Sequence, residues 1–118
     1  MREPPAIESY GGGGFRVAGV WRPGSLLILE DAPLTWRPAV LADVTPDDFA
    51  VVIGAPRGAV EFVLLGTGPT QSLPPRAIRE ALRAAGLGLE FMATDAAARL
   101  HNVLAQQGRL FATALIAI

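Results

Sequence analysis

The stretch VEFVLLGTGPTQSLPP, Val60 to Pro75, places an apolar strand before a Gly66-Thr67-Gly68 turn and a proline-led helix start. Strand, glycines and helix in that order hold phosphate in many proteins, because a helix N-terminus presents unpaired amides. The details of a nucleotide cradle are missing here. A dinucleotide fingerprint needs a third glycine where Gln71 stands, Pro69 removes a backbone donor, and no GK[ST] follows. Two readings stay open for the turn. It is a tight bend that lets backbones approach closely, or its free amides at Gly66 to Gly68 meet a small anion or acyl group.

A second set of polar residues falls near the C-terminus. Asp95, Arg99, Asn102 and Gln106 follow one another at intervals that keep them on one face of a helix. The plain reading is a solvated stripe with an Asp95–Arg99 ion pair worth a few tenths of a kcal/mol, on the order of other exposed pairs. The functional reading makes its upper end, with Thr94 and the glycine turn, one wall of a cleft. His101 is the one histidine and has no serine at a nucleophile spacing; no G-x-S-x-G occurs. Nor is there an H-x-x-x-H or H-x-x-E pattern for a metal. Glu61 and Glu90 interrupt apolar strands, where a hydrogen-bonded edge or an arginine partner is the ordinary explanation. Asp47 and Asp48 follow Thr45 and Pro46, which is a helix-start signature rather than an acid pair for catalysis. We therefore expect no catalytic residue, no metal and no cofactor.

Composition narrows the chemistry further. The chain of 118 residues has no cysteine, and its ten basic residues are all arginine. Thiol nucleophiles, disulfides, Schiff-base lysines and a P-loop lysine are excluded. A net charge of −1 gives no positive field for nucleic acid. The opening MREPPAIESY lacks the apolar stretch of a signal peptide, and LFATALIAI is too short to span a bilayer. These features predict a cytoplasmic protein that is not integral to a membrane.

The elements that must position these residues read in two styles. Residues 1–14, with the Gly11–Gly14 run, read as a flexible lead-in, and 15–118 as a single domain. FRVAGV and SLLILE read as strands of an N-terminal hairpin around WRPG, with Trp21 and Trp36 as packing residues. TPDDFAVVIG starts a helix. From Val60 strands and helices alternate: VEFVLL, PPRAIREALRAAG with Ile78, Leu82 and Ala85 on one side, LGLEFM, TDAAARLHNVLAQQG, and LFATALIAI. Gly86 and Gly108 cap the two helices. This grammar predicts an α/β fold with right-handed βαβ crossovers and a mixed, largely parallel central sheet.

Taken together, FRVAGV, Gly24, Trp36, LLGTG, LPP and LEFMATDAAARLHNVLAQQGRLFATALI resemble the small family that includes mitochondrial NADH dehydrogenase (complex I) assembly factor 3. The resemblance runs from Tyr10 to Ile118. It implies a three-layer α/β fold and a cleft beside Gly66, Thr67, Gly68, Met92, Thr94, Arg99 and Asn102. It also implies protein partners, among them subunits of a membrane complex, and a non-catalytic assembly role. The alternative is a small anionic-ligand site, with or without enzymatic activity, at the GTG turn and the N-terminus of the last helix. Ala93, Ala98, Leu100 and His101 depart from the family pattern, which carries aspartate, cysteine, threonine and an aromatic there. A mechanism that needs that cysteine or aspartate is absent from this chain.

Overall fold

Short runs of alternating apolar residues separated by glycine turns dictate an antiparallel N-terminal third. The computed structural model describes residues 3–118. Five strands follow in succession: β1 (Ile7–Gly11), β2 (Gly14–Val17), β3 (Val20–Pro23), β4 (Ser25–Leu29) and β5 (Ala32–Trp36). The first three form their own antiparallel sheet in the order β1-β2-β3. The lead-in expected over 1–14 is therefore a strand and a turn, with residues 1 and 2 outside the described residues. Gly12 and Gly13 turn β1 into β2, and the Gly13 amide donates to the Ile118 carbonyl at 2.8 Å.

The hairpin turn also moves. It lies at Ala18-Gly19, where both residues have positive φ (48° and 81°), the geometry that matches strand twist in a two-residue loop. This register pairs Val17 with Val20 and buries Phe15 and Val17. Pro23-Gly24, which looked like the turn, is where the chain leaves the first sheet for the second. Trp21 consequently lies on an outer strand and is 44% exposed, whereas Trp36 is buried and meets the Phe49 ring edge-on at 5.5 Å.

Thr45 opens a single 3-10 turn (Pro46–Phe49) that runs into a one-turn helix, α1 (Ala50–Ile53). Asp48 caps it by accepting from the Thr45 amide at 2.8 Å, as the helix-start signature predicted. The same carboxylate accepts from Arg37 through Nε at 2.8 Å and Nη2 at 2.7 Å. That two-pronged contact holds Asp48 down to about 2, the cap bonds from Thr45 adding to it.

The remaining chain alternates as expected: β6 (Phe62–Gly66), α2 (Arg76–Ala84), β7 (Gly88–Met92), α3 (Thr94–Gln106) and β8 (Phe111–Leu115). Both longer helices end on the glycines read from sequence. Leu87 and Gly86 donate back to Leu82 and Arg83, and Arg109 and Gly108 to Leu104 and Ala105, each closing the last turn. The central sheet has the order β5-β4-β8-β6-β7, with β6 parallel to β7 and β8, and β4 antiparallel to β5 and β8.

Strand periodicity sorts the core into two halves. Val63, Leu65, Ala112, Ala114 and Ile116 face Phe49, Val52, Ile78 and Leu82 under α1 and α2. Leu64 and Leu115 face Ala97 and Ala98 of α3 and Phe15 and Val17 of the small sheet. Each fully buried leucine contributes about 2 kcal/mol of apolar burial. Three layers result.

Because the carboxyl of Asp48 titrates lower in the folded chain than in the unfolded one, its contribution is present above the ordinary carboxylate range. It is lost as pH falls from that range through about 2. Urea unfolding as a function of pH should show this acid-side decline, and Asp48→Asn should flatten it.

Candidate functional site

Parallel strands leave their carboxyl ends open to loops, which is where Gly66-Thr67-Gly68 and Met92-Ala93-Thr94 meet. The ladder extends past the strand ends here. Thr67 N–H donates to the Met92 carbonyl at 2.8 Å, Thr94 N–H to Gly68 at 2.8 Å, and Ile116 N–H to Gly66 at 3.0 Å. The Thr94 hydroxyl, fully buried, accepts from the Gly68 amide at 2.9 Å and donates to the Ile116 carbonyl at 2.8 Å. One oxygen thus ties the turn after β6, the start of α3 and the end of β8.

The glycine at 66 is a packing requirement. A methyl group there would lie 2.8 Å from Leu115 Cδ2 and 2.9 Å from Thr94 Oγ1. Thr67 closes the loop beyond it: its hydroxyl donates to the Thr70 carbonyl at 2.7 Å and accepts from the Ser72 amide at 3.2 Å. The close-approach reading of the turn describes this arrangement. The anion reading needs free amides, and those of Thr67 and Gly68 already donate inside the protein.

Arg99 and Asn102 extend from α3 toward β1. Asn102 Oδ1 accepts from the Ile7 amide at 2.9 Å while its Nδ2 donates to the Ile7 carbonyl at 2.8 Å, so the side chain imitates a neighbouring strand. Arg99 Nη1 donates to the Tyr10 hydroxyl at 2.7 Å and lies 3.9 Å from Asp95. His101 is buried on the inner side of α3, against Pro5, Phe111 and Thr113. Its Nε2 faces the Pro5 carbonyl at 2.9 Å, an acceptor only, so Nε2 carries the proton and Nδ1 accepts from the Thr113 hydroxyl at 2.8 Å. Burial pushes the imidazole below its ordinary value, against opposing pulls from the Pro5 carbonyl and Asp31.

The seven residues expected around one cleft therefore divide by what they touch. Gly66, Thr67, Gly68, Met92 and Thr94 lock the carboxyl edge of the sheet; Arg99 and Asn102 fasten the N-terminal strand. Pro5, Ile7, Tyr10 and Thr113 complete the second group and were not singled out from sequence. No local signal marks them, since these partners lie 89 to 96 residues away, or in Thr113's case 12 residues away on β8. Glu61 lies just before β6 and Glu90 in the middle of β7, both exposed. Among the described residues, no group of three or more His, Asp or Glu could hold a metal ion. A cavity of 440 Å³ lies at the other end of β6 and β7, among Val52, Pro56, Arg57, Val60 and Leu87, and a larger one of 500 Å³ lies along α2 among Arg76, Arg79, Glu80 and Arg83.

The sequence profile of a family described as "Protein of unknown function (DUF498/DUF598)" matches residues 7–116. The chain belongs to this family. It is 36% identical to a Rhodobacter capsulatus protein over 93% of this chain and 82% of that one. It is 33% identical to bovine NADH dehydrogenase [ubiquinone] 1 alpha subcomplex assembly factor 3 over 98% of this chain, which spans 64% of the bovine protein. Among solved structures, a Bartonella henselae protein titled an outer membrane protein superposes with a TM-score of 0.88 at 30% identity, covering 97% and 95% of the two chains. Ala98 is buried against the small sheet, beside Phe15 and Val17.

Replacing Thr94 by valine removes both hydroxyl bonds and strands a buried amide, and should cost about 1–3 kcal/mol in denaturant unfolding. Thr94→Ser should recover most of it. A second expectation concerns His101. The unfolded chain takes up a proton in the ordinary histidine range and the folded chain resists it, so stability should fall as pH drops through that range. His101→Gln should remove that component of the slope; an unchanged slope would show that the imidazole is protonated in place.

Proposed function

We propose that this chain is a non-catalytic assembly module that binds protein partners during biogenesis of a membrane-associated complex, working from the cytoplasmic side. The observation that carries this reading is the 33% identity with assembly factor 3 across 98% of this chain. The part shared with that relative is this whole α/β unit.

The site supports the same reading in physical terms. The two buried hydroxyls at the carboxyl edge, those of Thr67 and Thr94, hold backbone in place. The Thr94 hydroxyl has committed its one proton to the Ile116 carbonyl and is fully buried, so it has no donor to offer a substrate. Among the described residues no helix is long and apolar enough to cross a membrane. The module on this reading meets its complex through partners rather than by insertion.

Affinity capture from native membranes, quantified against an untagged control, tests the proposal. Subunits of the respiratory NADH dehydrogenase or of another membrane complex should be enriched together. Deleting the chain should reduce the amount of the assembled complex on native gels. Enrichment of nothing above control, with unaltered complex abundance, would remove the basis for an assembly role.

A further inference from the structure

An exposed strand edge offers a row of backbone donors and acceptors, and most edges of this molecule are closed. β5 carries Pro33, which has no amide to offer; β3 ends at Pro23; β1 is sealed by the Asn102 side chain at Ile7. β7 has none of these devices, although it is the outer strand of the central sheet.

The register fixes which groups face outward. Gly88 donates to Glu61 and the Met92 carbonyl accepts from Thr67, so residues 88, 90 and 92 address β6. In a parallel pair the alternate residues point away. Leu89 and Phe91 thus hold their N–H and C=O groups toward the outside. Their side chains and that of Met92 are only half-buried, whereas Val63, Leu64 and Leu65 of the neighbouring strand are fully buried. Beside this edge, on the α3 side, Phe62, Glu90, Leu100, Leu104 and Arg109 line a pocket of 220 Å³. Arg109 lies over the Phe62 ring at 5.1 Å. The charged residues of the lining are Glu90 and Arg109, and of these Glu90 is the one that lies on the edge strand itself, exposed.

We propose that the β7 edge is a docking site for an extended segment of a partner protein, which adds a strand to the central sheet. An aliphatic side chain of that segment fills the pocket, and an alternate basic side chain meets Glu90. This rests on the assembly reading above and names the partner's local chemistry. Strand addition derives affinity from main-chain bonds and selectivity from alternate side chains, and the edge supplies both. A second copy fits poorly. Glu90 is the central residue of β7, and antiparallel pairing of two such strands would bring the two carboxylates face to face, which destabilises a ladder.

The test uses backbone amide exchange. Leu89 and Phe91 should exchange freely in the isolated chain. They should slow by about tenfold or more when a short peptide carrying valine and arginine two residues apart, with threonine between them so that both face the α3 side, is added. A valine–glutamate peptide should bind about tenfold more weakly, and Glu90→Arg, at an exposed position that leaves folding intact, should invert that preference. Leu89→Pro removes one outward donor and should abolish binding of both. Equal binding of the two peptides, or binding without protection of Leu89 and Phe91, would overturn the proposal. So would a concentration-dependent dimer in which those amides are already protected. The two readings fail separately. If a captured membrane-complex subunit binds while both amides stay unprotected, the edge inference fails and the assembly reading stands. If nothing is captured but the basic peptide protects the edge, the assembly reading alone fails.

Discussion

The Thr94 hydroxyl is the point on which the arrangement of layers depends. A parallel sheet has no hairpin at its carboxyl edge, so the ends of β6 and β8 need something other than a turn to keep them aligned. Thr94 supplies it by accepting from Gly68 and donating to the Ile116 carbonyl in a fully buried position. Because Thr94 is also the first residue of α3, the bond that aligns the strands fixes where the helix begins. Gly66 permits this approach, since any larger residue would displace the threonine or Leu115.

Fixing the start of α3 sets the direction of every side chain after it. Arg99, His101 and Asn102 then reach Tyr10, Pro5 and Ile7, and the N-terminal strand is drawn onto the helix. The small sheet follows, carrying Phe15 and Val17 into the core beside Leu64 and Ala97. One chain of contacts therefore links the carboxyl edge to the first ordered strand. A buried amide or carbonyl left without a partner costs about 1–3 kcal/mol, so Thr94, His101 and Asn102, whose partners include backbone groups, each contribute as struts. Residues that look reactive in sequence are used for architecture.

That use explains what could be read in advance. β6, α2, β7, α3 and β8 were legible because their signals are local: apolar runs of strand length, a 3.6-residue period, and glycines that end helices. Thr45, Pro46 and Asp48 were legible as a cap for the same reason, although the helix they start is only one turn each of 3-10 and α. The N-terminal hairpin was misplaced because Pro23-Gly24 carries the stronger turn chemistry. Ala18-Gly19 won through tertiary packing, which needed Phe15 and Val17 inward. β1 was hidden behind the glycine run that in fact forms its turn. The roles of Arg99 and Asn102 were out of reach, since a helical stripe looks the same whether solvent or a distant strand lies against it.

The same locking arrangement bears on how β7 meets a partner. The strand is held along one side by β6, its far end is fastened through Met92 to Thr67, and Gly88 is tied to Glu61 at the near end. Its outward groups therefore stand in extended geometry before any partner arrives. The ordering cost of association, normally a large part of what binding must overcome, falls mainly on the incoming segment. A rigid edge with one carboxylate at its centre selects by register and charge while demanding little from the host. On the proposed reading, recognition at such an edge comes mainly from its backbone, with Glu90 setting the charge preference.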